Sequence, residues 1–130
     1  MELLWTADGR RLLVSRTVDA PAERVWTVFT DTRRWPEWGP SVTDVECRDR
    51  FIREGSTGRV RVAGTLWVPF EIESCGDLRW TWRVAKIPAT GHRVEPYNGS
   101  CRVGFELPLW GVGYVPVCER ALDRIEGMVE

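Results

Sequence analysis

The sequence predicts a single α+β domain in which a curved antiparallel sheet wraps a long C-terminal helix. Turn signals recur at short intervals between residues 42 and 105, which is typical of an antiparallel meander. Apolar residues at helical spacing then occupy the stretch from about Val115 to Val129. The chain has 130 residues, which suits one domain, so we expect residues 1–130 to share one core.

The N-terminal part predicts a strand followed by a helix. Residues 11–19 alternate in polarity and place Val14 and Val18 on one face. Pro21 ends this strand and suits the first turn of a helix, which we expect to reach about Thr30. A second, short helical turn is predicted over residues 32–35. Pro36 would end it and begin a rigid connection over residues 35–40.

The meander is predicted to have six strands, or seven with the first one. Turns are expected at residues 55–58 and 76–77, and Asn98-Gly99 indicates a tight hairpin. Weaker breaks lie near residues 67–69 and 87–89. Alternation gives two of these strands an apolar inward face, formed by Leu78, Trp80, Trp82 and Val84 and by Cys101, Val103 and Phe105. Arg102 and Glu106 fall on the outward face.

Charge and composition exclude several functions. Eighteen basic residues, of which only Lys86 is a lysine, are scattered among nineteen acidic ones, so we expect no nucleic-acid partner. The N-terminus lacks a signal pattern and no apolar run is long enough for an integral membrane segment, which predicts a cytoplasmic protein. The four cysteines form no CxxC pair. We therefore expect no metal and no cofactor.

One stretch of sequence resembles a known superfamily. The run Val14-Ser15-Arg16-Thr17-Val18-Asp19-Ala20-Pro21-Ala22-Glu23-Arg24-Val25-Trp26 is similar to the opening of the polyketide cyclase and dehydrase group. Trp35-Pro36-Glu37-Trp38, followed by Val42-Thr43-Asp44-Val45, resembles what comes next in that group. The resemblance is to the START-like superfamily (SRPBCC), whose helix-grip, or Bet v 1-like, fold has the order β-α-α-β-β-β-β-β-β-α. It implies a cavity between the sheet and the last helix, entered near the loops and the start of that helix.

The predicted ligand-binding residues combine the inward strand faces with the start of the last helix. They are Phe70, Ile72, Trp80, Trp82, His92, Cys101, Val103, Phe105, Tyr114 and Cys118. Bulky rings of this kind can stack on an aromatic ligand, but they can equally fill the interior and leave little room. The sequence leaves both outcomes open.

His92 is the only histidine, and so the only catalytic candidate that titrates near neutral pH without perturbation. On an inward face it could orient a ligand or act as a general base, although a simply hydrogen-bonded strand histidine is favoured. Arg16 interrupts the apolar face of the first strand and could bind a carboxylate, but we favour an outward position. Glu71 and Glu73 share a face that we expect to be solvated.

Three functions follow from these patterns. The leading hypothesis is a protein that binds a small hydrophobic molecule, such as a lipid, a polyketide or another aromatic or polycyclic compound. The alternative is a cyclase or dehydrase that uses His92 as acid or base. The third is an interaction module, including a possible homodimer, that uses a sheet edge or the apolar turn at residues 107–110.

Overall fold

The computed structural model describes residues 1–130, which form one antiparallel sheet, three α-helices and two 3-10 segments. The strands are β1 (Glu2–Thr6), β2 (Gly9–Val18), β3 (Val42–Cys47), β4 (Thr57–Val62), β5 (Leu66–Gly76), β6 (Arg79–Val84), β7 (Ile87–Tyr97) and β8 (Ser100–Pro108). The helices are α1 (Ala22–Thr30), α2 (Trp35–Trp38) and α3 (Val115–Val129). The 3-10 segments span Thr32–Arg34 and Leu109–Tyr114.

The predicted architecture is confirmed, with one strand more than expected. The eight strands lie in the order β1-β2-β8-β7-β6-β5-β4-β3, and every neighbouring pair is antiparallel. The additional strand is β1, which pairs with β2 through the two-residue turn Ala7-Asp8. The count of six to seven strands was wrong because β1 has only five residues and because the Asp8-Gly9 turn signal, which lies one position after the turn centre, was overlooked.

Pro36 begins a helix instead of ending one. Residues 32–34 form the 3-10 turn, and Asp31 caps it by accepting a hydrogen bond from the backbone N–H of Arg33 at 3.0 Å. Pro36 then occupies the first turn of α2, where a missing N–H costs no hydrogen bond. This placement puts Trp35 and Trp38 on the side of α2 that packs into the core.

The breaks predicted near residues 67–69 and 87–89 are displaced, because those residues lie within strands and the actual turns come a few residues earlier. β5 runs unbroken through Pro69, and β7 begins at Ile87 and continues through Pro88. The actual turns lie at Ala63-Gly64 and Ala85-Lys86, where both residues have positive φ. Positive φ at both central residues is typical of a type I′ hairpin turn, which alanine and lysine rarely adopt.

The core lies between the concave face of the sheet and the helices. On α3 the buried residues are Cys118, Ala121, Leu122, Ile125 and Val129, which share one side of the helix. They pack with Phe29 of α1 and with the inward side chains of β2 and β8 in one cluster. No helix here combines the length and the apolar character that crossing a membrane would take.

Candidate ligand-binding cavity

An apolar cavity of about 330 Å³ lies between the sheet and α3. Its size falls at the small end of the range for ligand pockets in proteins. Side chains from β4, β6, β7 and β8 form one wall, while α2, α3 and the 3-10 segment before α3 form the other. The aromatic members of the lining are Trp35, Trp38, Trp80, Trp82, His92, Phe105, Trp110 and Tyr114.

Three stacked rings form the floor of the cavity. The indoles of Trp35 and Trp80 are nearly parallel, with ring centroids 5.2 Å apart, and the His92 imidazole stacks on Trp80 at 3.6 Å. Trp35 is fixed because its indole N–H donates a hydrogen bond of 2.9 Å to the carbonyl of Phe29. Because Trp80 is 0% exposed and Trp35 and His92 are each 2% exposed, the three rings cover one another's faces and form a rigid, packed floor.

A chain of hydrogen bonds assigns the tautomer of His92. The Trp80 carbonyl lies 3.3 Å from Nδ1 of His92 and can only accept, so Nδ1 carries the proton. Nε2 is then an acceptor, and it receives the Thr90 hydroxyl proton at 3.1 Å. Thr90 in turn accepts a hydrogen bond of 3.1 Å from the indole N–H of Trp82. Both nitrogens of the imidazole are therefore occupied.

His92 is neutral in this environment. Its side chain is buried, and loss of solvation lowers its pKa to about 3, an effect that the nearby charge of Arg79 reinforces. The hydrogen bond to the Trp80 carbonyl opposes this shift without reversing it. A group with so low a pKa and with its lone pair occupied is poorly suited to act as a base near neutral pH.

The cavity reaches the surface beside the 3-10 segment Leu109–Tyr114. Trp110 lines the cavity and is 73% exposed, so this end of the cavity lies at the protein surface. The hydroxyls of Ser41 and Tyr114 are hydrogen-bonded at 2.5 Å, which connects the loop after α2 with the residue before α3. Burial raises the pKa of Tyr114, and the Ser41 hydrogen bond partly opposes that rise.

The lining contains no lysine, arginine, aspartate or glutamate. Its thiol, Cys118, is protonated because burial raises its pKa to about 12. With His92 also neutral, no lining side chain carries a charge at neutral pH. The charged residues that sequence analysis singled out lie elsewhere.

Six of the ten sequence-predicted ligand-binding residues line the cavity together. They are Trp80, Trp82, His92, Phe105, Tyr114 and Cys118. Phe70, Ile72, Cys101 and Val103 are buried in the core but do not line this cavity. Trp35 and Trp38 were not among the predicted ligand-binding residues, yet both line the cavity. Their three-residue spacing around Pro36 was the available signal.

Arg16 lies at the flank of α3, where it forms ion pairs with Glu119, Asp123 and Glu126. These acids occupy the outward side of the helix, so Arg16 attaches β2 to α3 outside the cavity. Of the two strand glutamates, Glu71 is exposed and Glu73 is half-buried and pairs with Arg83.

Glu106 lies on the convex face of the sheet, as alternation predicts, yet it is only 1% exposed. Its carboxylate accepts hydrogen bonds of 2.7 and 2.9 Å from Arg79 and lies 3.4 Å from a guanidinium nitrogen of Arg93. Arg79 also pairs with Asp8 in the β1–β2 turn at 3.0 Å. A carboxylate so enclosed is stable because it is paired on several sides. Alternation in the sequence did not indicate this burial.

The sheet, the long terminal helix and the apolar cavity between them together define a START-like protein with the helix-grip fold. The chain belongs to the polyketide cyclase / dehydrase and lipid transport family, whose model matches residues 10–127. The match begins after β1, so this strand lies outside the part that the family model describes.

Solved structures share the fold at low sequence identity. The chain is similar to the Zhui aromatase/cyclase from a Streptomyces species, with 14% identity, a TM-score of 0.68 and 92% of each chain covered. It is also similar to protein Ms6760 from Mycobacterium smegmatis, with 16% identity, a TM-score of 0.64 and coverage of 98% and 96%. Ara h 8.0201 gives 13% identity, a TM-score of 0.63 and coverage of 91% and 95%. No curated protein sequence matches the chain.

Proposed function

We propose that this protein binds a small, uncharged aromatic molecule in the cavity between the sheet and α3. The observation that carries the proposal is a cavity of about 330 Å³ with aromatic walls and no charged side chain. Transfer of a ligand from water to such a site is driven by burial of apolar surface, at about 25 cal/mol per Å². The lining residues Trp82, Trp110 and Tyr114 have accessible ring surface and can stack on a planar ligand, which favours a planar ring over a flexible chain.

The absence of charged side chains in the lining also indicates which ligands the cavity excludes. An anionic ligand would lose its hydration without gaining a cationic partner, which costs several kcal/mol. The polar groups near the mouth, the hydroxyls of Ser41 and Tyr114, suit a ligand hydroxyl or carbonyl. We therefore expect neutral phenols and ketones to bind and carboxylates to be excluded.

A cyclase activity is not the function that the geometry favours. Such chemistry needs a side chain that takes or gives a proton near neutral pH. His92 is neutral and hydrogen-bonded at both nitrogens, and Cys118 keeps its proton. Binding without covalent change therefore accounts for the residues in the cavity more simply.

The proposal is tested by titrating the protein with 2-naphthol and with 2-naphthoate, which have the same ring system and differ in charge at pH 7. Binding is followed by calorimetry and by quenching of the cavity tryptophans. We expect 2-naphthol to bind at least about 100-fold more tightly, given the cost of burying an unpaired carboxylate. Equal affinity for the two compounds, or no binding of either, contradicts the proposal.

A matched pair of variants locates the binding site. Val117 lines the cavity from α3, and Val117→Trp should fill it and abolish binding of 2-naphthol. Val112 is 55% exposed and does not line the cavity, so Val112→Trp should bind as the unaltered protein does. Undiminished binding by Val117→Trp would place the ligand elsewhere.

A further inference from the structure

The two edges of the sheet differ in how far they are protected against pairing with another strand. At the β3 edge, the register with β4 shifts between Val42 and Asp44, and α2 packs beside the strand. The Asp44 carboxylate also accepts a hydrogen bond of 2.8 Å from the backbone N–H of Val45. Irregularity, charge and a covering helix are the usual means by which proteins block an edge strand.

The β1 edge has neither an irregular register nor a covering helix, and its one charged residue, Glu2, is paired with Arg102. β1 keeps an unbroken register with β2 over all five of its residues and contains neither proline nor lysine. It is the last strand of the sheet, so no further strand pairs with its free side. Two large apolar side chains on one face of this strand point to solvent, with Leu3 52% and Trp5 77% exposed.

The register of the β1–β2 hairpin shows which backbone groups are free. A two-residue turn makes Thr6 and Gly9 the closing pair, which is hydrogen-bonded between the strands. Because hydrogen-bonded pairs alternate along an antiparallel ladder, Leu4 also bonds to β2. The N–H and C=O groups of Leu3 and Trp5 therefore point away from the sheet.

We propose that β1 pairs with β1 of a second copy of this chain, antiparallel about a two-fold axis at Leu4. This register places Leu3 opposite the partner's Trp5 and Trp5 opposite the partner's Leu3. All four residues then use their free backbone groups, which gives four hydrogen bonds between the strands. The exposed apolar side chains meet on the same face of the joined sheet.

The surroundings of β1 favour a second copy over an unrelated strand. The pairing is self-complementary, because one register satisfies the free groups of both edges at once, as an isologous interface requires. Glu2 is paired with Arg102, so it does not present an unpaired charge at this edge. The Arg10 guanidinium carbon lies 5.8 Å from the Trp5 ring centroid, and a ring has a second face for the partner's Leu3.

The contact is a narrow one, limited to two five-residue strands. It is smaller than the standard interface of about 800 Å² per partner, so the dimer is weak and depends on concentration. Sedimentation velocity of the full chain from about 1 µM to about 1 mM should show a rapid monomer–dimer equilibrium. A monomer throughout this range would overturn the proposal.

Two variants test the edge, with a control elsewhere. Trp5→Pro removes the outward N–H without touching the bonds to β2, and Trp5→Lys places like charges across the axis. Both should weaken dimerisation at least about tenfold while the thermal midpoint stays close to that of the unaltered protein. Tyr97 is 68% exposed in the β7–β8 hairpin, and Tyr97→Lys should leave the dimer intact. A dimer that survives Trp5→Pro and Trp5→Lys would lie at another surface.

Cross-linking tests the register itself. Opposed Leu4 residues form a non-hydrogen-bonded pair with Cα atoms about 4.5 Å apart, which is within reach of a disulfide. Oxidised Leu4→Cys should therefore yield a dimer linked through position 4, as peptide mass mapping would show. Leu3→Cys faces the partner's Trp5 and should not link to itself. The proposed pairing would be refuted if Leu3→Cys formed the disulfide and Leu4→Cys did not. It would also be refuted if an unrelated extended peptide bound at this edge in place of the second copy.

Discussion

His92 should stay uncharged in the folded protein as the pH is lowered from 7 to 4. Its pKa is about 3 when it is buried between Trp80 and the Thr90 hydroxyl, and an unfolded histidine has a pKa of about 6.5. Between these values the unfolded chain binds a proton that the folded chain does not. Lower pH therefore favours unfolding, and this contribution to stability is complete only above about pH 6.5.

The size of the effect follows from the two pKa values. Each pH unit in this interval changes the free energy of unfolding by about 1.36 kcal/mol per proton. From pH 6.5 to pH 4 the loss due to His92 is thus about 3 kcal/mol, a large share of the stability of about 5–15 kcal/mol that is usual for a domain. Urea denaturation at several pH values measures the total change.

A variant separates His92 from the carboxylates, which also respond to pH. His92→Gln cannot take up the proton, so the difference between the two proteins isolates the histidine. Because the chain has one histidine, its Cε1–H proton resonance can be followed directly by NMR. It should not shift above pH 4 in the folded protein and should titrate near 6.5 in urea. A midpoint near 6 in the folded protein, or the same pH dependence in both proteins, would refute the account of the cavity floor.

Three further predictions concern the convex face and the turns. Glu106→Gln should lower the free energy of unfolding, measured by urea denaturation, by about 3 kcal/mol, because it leaves two arginines facing a neutral group. As a control, Glu46→Gln at an exposed position should leave the denaturation midpoint unchanged. Gly91→Ala places a methyl group 2.7 Å from the Glu106 carboxylate and should lower the free energy of unfolding by about 2 kcal/mol. The methyl group of Gly76→Ala meets nothing within 4 Å and should lower it much less, so equal losses of stability in the two variants would contradict the close approach at Gly91. Lys86→Gly should raise the stability by about 1 kcal/mol because φ at this position is +67°, and Lys86→Ala, which keeps a Cβ there, should not.

The α3 helix and the sheet could be predicted because their patterns are long and regular. The apolar spacing of α3 predicted its range from Val115 to Val129, which the structure confirms. The turns were harder because Ala85-Lys86 has the backbone of a tight turn without glycine or asparagine. Residue propensities describe the backbone conformation that each residue type prefers. At Ala85-Lys86 the pairing of β6 with β7 imposes a tight turn against those preferences.

The sequence predicted which side chains of the site face inward, but it did not predict which of them line the cavity. Alternation indicated that Trp80, Trp82 and Phe105 face inward. It could not show that Phe70 and Ile72 lie apart from the cavity, because the same parity serves both packing and lining. Distances between helix and sheet decide which inward residue meets open space, and a single sequence does not contain them.

The ion cluster of Glu106, Arg79 and Arg93 lies directly behind the cavity floor. Arg79 and Trp80 are neighbours on β6, as Arg93 and His92 are on β7, so the two strands carry the cluster on one face and the stacked rings on the other. The backbone under the floor is thereby anchored from the far side of the sheet. We therefore expect that side chains lining the cavity can be exchanged without loosening that anchor, so the shape of the inner surface can change while the sheet behind it stays the same.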